Sequence, residues 1–175
     1  MLGRRQEDYP TLLDLPAPRL WTYPWTYPRE TMVAEKFHTV ADLGDANSRV
    51  KDLWDVACLA RRFAFDGDAP RTAIAETFRH RGTLLVGGRP TALRAGYYDK
   101  HESPARGQRW RELRRQIGAD IDGPGRLEDA GEELRRFLGP VCDSLIEESP
   151  FMQAWPAGGP WQSGIQAPTE GQAND

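Results

Sequence analysis

The sequence predicts a mainly α-helical protein, about five helices packed as a small helical domain, and three observations lead there. Apolar residues recur at spacings of three and four in separate stretches along the chain. Proline, glycine and small polar residues stand where those stretches begin and end. Length suits one domain, with 39% hydrophobic and 28% charged residues, ordinary values for a folded protein with a modest core.

Residues 1–28 form an irregular lead-in rich in proline and aromatic residues. Pro10, Pro16, Pro18, Pro24 and Pro28 break any long helix, and Leu12, Leu13 and Leu15 can anchor a short extended segment. Trp21-Thr22-Tyr23-Pro24 is repeated at once as Trp25-Thr26-Tyr27-Pro28, a four-residue duplication that lengthens this loop.

From Pro28 to Phe63 the pattern is a helical hairpin. Pro28 suits a first helical position and Glu30 the first turn. Val33, Phe37 and Val40 make the apolar stripe, and Gly44 is placed as a stop. Asn47 or Ser48 can cap a second helix with the stripe Val50, Leu53, Trp54, Ala57, Ala60 and Phe63. The segment AFDGD reads as a turn, with Asp68 an N-cap. Pro70 opens a third helix, Arg71 to His80, with Ile74 and Phe78 inward and Gly82 as its stop.

The stretch GTLLVGGRP reads as a linker, and residues 91–103 are irregular. Its Gly87-Gly88 pair lacks the Gly-Lys-Ser/Thr ending of a phosphate loop. Ser103 can cap a fourth helix from Pro104, with Trp110, Leu113 and Ile117 inward and Arg106, Arg109, Arg111, Arg114 and Arg115 on its other faces. After the loop GADIDGPG the last helix runs from Leu127 to Glu148, with Leu134, Phe137, Leu138, Val141 and Leu145 inward and Pro140 kinking it. Residues 29–150 are thus the helical domain and 151–161 an end segment, WPAGGPW in character. Residues 162–175 are a polar tail expected to be disordered.

Charge is segregated. Residues 1–48 carry 5 basic and 7 acidic side chains, residues 49–115 carry 15 and 8, and residues 116–175 carry 3 and 11. The basic middle can receive phosphates of a nucleotide or RNA, and the acidic end can face away or pair with it. No apolar run is long enough to span a membrane, and MLGRRQEDYP has no apolar leader. Cys58 and Cys142 fall in helical patterns and read as buried free thiols in a reducing cytoplasm, with no zinc spacing.

Within the hairpin the polar residues are the candidates for chemistry. Lys36 lies beside Phe37 in mid-helix, and Asp52 and Asp55, three apart, share one side of the second helix. A lysine and two carboxylates at the edge of a packed hairpin can make a site. They can equally be a snorkelling lysine and surface ion pairs.

The run AEKFHTVADLGDANSRVKDLWDVACLARRF, flanked by YPTLLDLPAPRL and YPRE before it and FMQAWPAGGPW after it, resembles the C-terminal part of the AbiEii nucleotidyltransferase-like toxins. Such toxins act in type IV toxin–antitoxin and abortive-infection (phage-defence) systems. The resemblance implies catalytic roles for Lys36 and Asp52, with Asp55, Arg49 and Lys51 in support and no metal ligand among them. It implies nucleotide transfer to RNA, tRNA above all, with Mg²⁺ and a nucleoside triphosphate as cofactors in the complete family member. An AbiEi-type antitoxin is the implied partner. The family's N-terminal metal-binding core, a Gly-Ser turn followed by an Asp-x-Asp strand, has no counterpart in these residues. There is no Gly-Ser dipeptide, and the two Asp-x-Asp matches, Asp66–Asp68 and Asp120–Asp122, lack that context and read as structural. The expectation is therefore a family member whose N-terminal half is absent, not catalytic alone, with apolar stripes exposed where that half would pack. The alternative is a non-enzymatic helical fragment that binds an antitoxin, a separate N-terminal half or RNA.

Overall fold

Five helices and a small sheet make up the computed structural model, which describes residues 28–43, 49–83, 85, 88–99, 104–118 and 121–163. The lead-in with its duplicated Trp-Thr-Tyr-Pro unit, Gly44, Asn47, Ser48, Ser103, Asp120 and the tail beyond Ser163 lie outside the described residues.

Helix α1 (Arg29–Leu43) starts directly after Pro28, whose carbonyl accepts the Met32 N–H at 3.0 Å. Val33, Phe37 and Val40 are fully buried, as their spacing requires. Helix α2 (Val50–Arg62) is the central element. Every residue from Asp52 to Ala60 is buried, so it is enclosed on all sides and its apolar positions exceed a single stripe. Arg49, without a side-chain cap bond, precedes it.

The third helix begins earlier than its pattern suggests. Helix α3 runs Asp68–His80, and Asp68 is its first helical residue instead of the cap. Gly67 holds the N-cap position, and the Asp66 carboxylate accepts the Asp68 N–H at 3.3 Å. Gly82, at φ +68°, ends α3: its N–H reaches the Arg79 carbonyl and that of Thr83 the Phe78 carbonyl, a Schellman closure. A 3-10 turn at Thr91–Leu93 follows, within a segment that is irregular but not peripheral, since Leu93, Tyr97 and Tyr98 belong to the core. Helix α4 is Pro104–Ile117. Helix α5, Leu127–Ile146, stops two residues short of the expected Glu148, which sits at φ +53° and cannot continue it.

Three segments, read as a turn, the end segment and the start of the tail, form a sheet. Strands β1 (Phe65–Asp66), β2 (Gln153–Trp155) and β3 (Gln162–Ser163) pair antiparallel in that order, with Phe65 opposite Trp155 and Gln153 opposite Ser163. Gly67 makes this possible: a Cβ there would lie 2.6 Å from the Phe151 ring and 2.7 Å from the Gln153 carbonyl oxygen. The strands are too short for alternation to announce them.

The aromatic end segment locks two helices. The Trp155 indole donates to the Ala60 carbonyl at 2.7 Å, and the Gly158 N–H reaches the same oxygen at 3.0 Å, satisfying the last turn of α2. In α5, Pro140 has no N–H to offer the Arg136 carbonyl. One position along, the Phe137 carbonyl accepts the Trp161 indole N–H at 2.7 Å, and the Trp161 ring lies stacked on Phe137.

No helix among the described residues is long and apolar enough to cross a membrane. The expected exposed apolar stripes are not there among the described residues: the large apolar side chains at the surface are Ile121 and Met152, scattered singly. The stripes of the five helices close on one another and on the aromatic end segment.

Candidate functional site

Helices α1 and α2 lie side by side, and their facing turns bring Lys36, Asp52 and Asp55 together. The Lys36 ammonium is 3.1 Å from Asp52 Oδ1, to which it donates a hydrogen bond. It is 2.6 Å from Asp55 Oδ2. That closer approach is a charge-assisted contact, and it is the tighter of the two. Asp55 is fully buried, and the side chains of Lys36 and Asp52 are about equally and only slightly exposed, at 13% and 12%. The aspartate that the resemblance placed in support is therefore the nearer and more deeply enclosed of the two. The alternative of exposed surface pairs does not describe this geometry.

Burial by itself would lower the pKa of Lys36. The carboxylates of Asp55 and Asp52 outweigh it and hold the ammonium above its ordinary range. Burial raises the pKa of Asp55, with Lys36 opposing, so its carboxylate is harder to ionise than a free one. Lys51, half-buried one turn earlier, favours the ionised form of Asp55. Arg49 is exposed, and its part in the local structure is its carbonyl, which accepts the Asp52 N–H at 3.1 Å.

Lys36 stands between the carboxylates where a cation would go. Among the described residues no group of three or more His, Cys, Asp or Glu is assembled to hold a metal. With the ammonium between them, Asp52 and Asp55 are engaged as its counter-ions and not as metal ligands. Of the two Asp-x-Asp matches, Asp66 accepts the Asp68 N–H at the start of α3. Asp122 offers its backbone carbonyl to Arg62, with its side chain 79% exposed.

The model of one protein family, described as nucleotidyl transferase AbiEii toxin of type IV toxin–antitoxin systems, matches residues 6–138. The chain belongs to the AbiEii family. The match takes in Lys36, Asp52 and Asp55 and ends within α5, before the Trp155–Trp161 segment. No curated protein and no solved structure matches the chain. For an AbiEii protein the Lys36 hairpin is the natural candidate, since it joins burial, opposite charge and perturbed titration in one place.

Nearby, a second polar residue escaped the sequence reading. His38 is buried on α1, edge-on to Phe78, and its Nε2 lies 2.8 Å from Thr83 Oγ1 while Nδ1 has no partner. Helical periodicity signals only that His38 neighbours Phe37, and its contact with Thr83 spans 45 residues. Burial first, and then the Arg81 guanidinium, lower its pKa, with Asp42 and Glu35 opposing. A folded-state pKa below the unfolded value means that the unfolded chain takes up a proton first on acidification. Stability should thus be lost as pH falls from about 6.5 through the lower folded pKa, and be unaffected by this group above that. Urea midpoints between about pH 7 and pH 5 should fall for the wild type and show a shallower fall for His38→Gln. Equal slopes would show that other groups govern the acid limb.

Charge segregation is resolved in part inside the fold. The basic middle pairs with the acidic end through Arg61 with Glu133, in a two-pronged contact, and Arg89 with Asp143. Burial pushes the Cys58 and Cys142 thiols up to about 12, which leaves both inert as nucleophiles.

Proposed function

We propose that this chain carries the lysine–aspartate part of a nucleotidyl transfer site whose acceptor is RNA, tRNA above all, within a cytoplasmic toxin of an abortive-infection system. One observation carries the reading: a buried ammonium held at 2.6 and 3.1 Å by two carboxylates in the segment that the family match includes. Lys36 is the group for triphosphate oxygens, as a compact positive charge suits a diffuse anion. Asp52, slightly exposed, orients the Lys36 ammonium through its hydrogen bond. Asp55, wholly enclosed, holds the same ammonium and keeps the pair anchored to α2.

Magnesium and a nucleoside triphosphate belong to the complete family member, and the acidic ligands for the metal come from a Gly-Ser and Asp-x-Asp core that these 175 residues do not contain. Transfer by this chain alone is therefore not part of the proposal. The test is Lys36→Ala and Asp52→Ala in a complete toxin of the family, read by growth arrest and by nucleotide addition to RNA. Both should be lost. Full toxicity in Lys36→Ala would reject the assignment.

A second reading is non-enzymatic: a helical protein that binds an AbiEi-type antitoxin, a separate N-terminal half or RNA. It is favoured by the placement of the Lys36 ammonium, which engages both Asp52 and Asp55 as counter-ions. The intact mass of the product from the native locus separates the two. A mass well above 19.7 kDa supports the transferase, and 19.7 kDa supports the binding protein.

A further inference from the structure

Helix α4 stacks arginines where a helix ordinarily mixes signs. Arg111, Arg114 and Arg115 are three and four residues apart, so they share one flank, and like charges at that spacing weaken a helix. Arg109 is on the other flank. Glu112 compensates Arg115 alone. Among the described residues Arg111 and Arg114 meet no carboxylate, in contrast to Arg61, Arg81, Arg89 and Arg135, each of which meets one.

The flank continues across a loop. Arg114 lies over the Trp54 ring, 4.7 Å from its centroid, and reaches towards the Ile121 carbonyl. Arg62, exposed at the end of α2, donates to the next carbonyl, that of Asp122, at 3.1 Å. Backbone oxygens thus hold two guanidiniums in place without neutralising them. Trp54 is the neighbour of Asp55 on α2, so this row of charge runs beside the helix that carries the candidate site.

We infer that Arg62, Arg111, Arg114 and Arg115 form the surface along which the phosphate backbone of RNA lies. The inference rests on the RNA acceptor of the proposed function and deepens it by naming the contact surface. Guanidiniums match phosphate oxygens two at a time. Ile121 is the one large apolar side chain exposed here among the described residues, so the surface offers no apolar anchor of the kind that dominates protein interfaces. A polyanion, which gains affinity from counterion release alone, fits it better than an acidic protein.

The experiment measures binding of a fluorescent hairpin RNA to the full chain across a salt series. Arg111→Gln with Arg115→Gln removes two exposed charges from the flank. Arg79→Gln with Arg109→Gln removes two exposed charges elsewhere and serves as a control of equal net charge. The flank variant should bind roughly tenfold more weakly, and its slope of log affinity against log salt should fall by about 1.5, two phosphate contacts' worth. The control should stay near wild type. Equal losses in both variants, or none in either, would overturn the proposal, as would wild-type binding to polyglutamate as tight as to RNA. Circular dichroism of both variants excludes unfolding as the cause. Binding requires no nucleotide transfer, so failure here leaves the Lys36 assignment standing, and failure of Lys36→Ala to abolish toxicity leaves this result standing.

Discussion

Replacing Lys36 by methionine should destabilise the folded chain by about 3–5 kcal/mol near neutral pH, the usual cost of leaving a buried charge without its partner. Asp55 is fully buried, and the Lys36 ammonium 2.6 Å from its Oδ2 is what chiefly offsets its desolvation. Methionine keeps most of the volume of the lysine stem, which limits any packing contribution. The pH dependence identifies the cause. Without Lys36, burial raises the folded pKa of Asp55 further above its unfolded value. A raised pKa contributes stability below the unfolded pKa, and that contribution is lost as pH rises through the folded one. The deficit of Lys36→Met should therefore be small near about pH 4 and grow towards neutrality. Adding Asp55→Asn should recover much of it, because an amide costs less to bury than a carboxylate. Urea denaturation of the two single variants and the double variant completes the cycle. A deficit that is independent of pH and unchanged by Asp55→Asn would mean that the lysine stem, not its charge, stabilises the hairpin.

In the wild type the same pair sets an upper limit. Lys36 has its pKa raised in the fold, so its contribution is present below about pH 10.5 and disappears as pH climbs past the folded value. This behaviour separates a structural ion pair from a solvated one, and it also bears on function. A lysine already neutralised by two carboxylates approaches a triphosphate only if one of them turns away or is offset by further positive charge, such as that of the metal-binding core assigned to the complete toxin.

The hairpin was legible because its signals are local. Val33, Phe37 and Val40 repeat within three turns, and Lys36 is carried to the edge of that stripe by the same periodicity. That Asp52 and Asp55 share a side follows from their spacing. Their ranking does not, since burial depends on what else covers α2. The 121–125 loop does so in part, with Gly123 so close to Trp54 that a Cβ would lie 2.2 Å from its ring. Tyr97 and Tyr98 were illegible for a related reason. They sit in an irregular segment without period, and Tyr98 is buried because Gly131, on a helix more than thirty residues away, leaves room for its ring. Arg106 looked like one more cation of a basic helix, yet it is buried and donates to the Tyr97 carbonyl at 2.6 Å with its guanidinium over the Tyr97 ring. Composition counts charges, and only tertiary contact shows which of them reach solvent.

Trp155→Ala should cost about 3–5 kcal/mol, as expected for deleting a buried tryptophan, and should do so from outside the region of the family match. The Trp155 ring packs on Phe137 and Trp161 at centroid distances of 5.0 and 5.3 Å, and its indole N–H holds the Ala60 carbonyl. Losing it removes apolar contact from α5 and a hydrogen bond from the last turn of α2 together. Trp155→Phe separates the two: it keeps much of the ring contact and loses the donor, so it should cost nearer 1 kcal/mol. Amide hydrogen exchange should then quicken over the end of α2 and the sheet in Trp155→Phe, while α1 and α3 stay protected. If truncation at Ser149, before β2, left the remaining helices as stable as the full chain, the lock would be redundant. The expected result is the reverse. The sheet and its tryptophans close the open end of α2, and the same helix presents Asp52 and Asp55 to Lys36, so loosening the lock should also loosen the site.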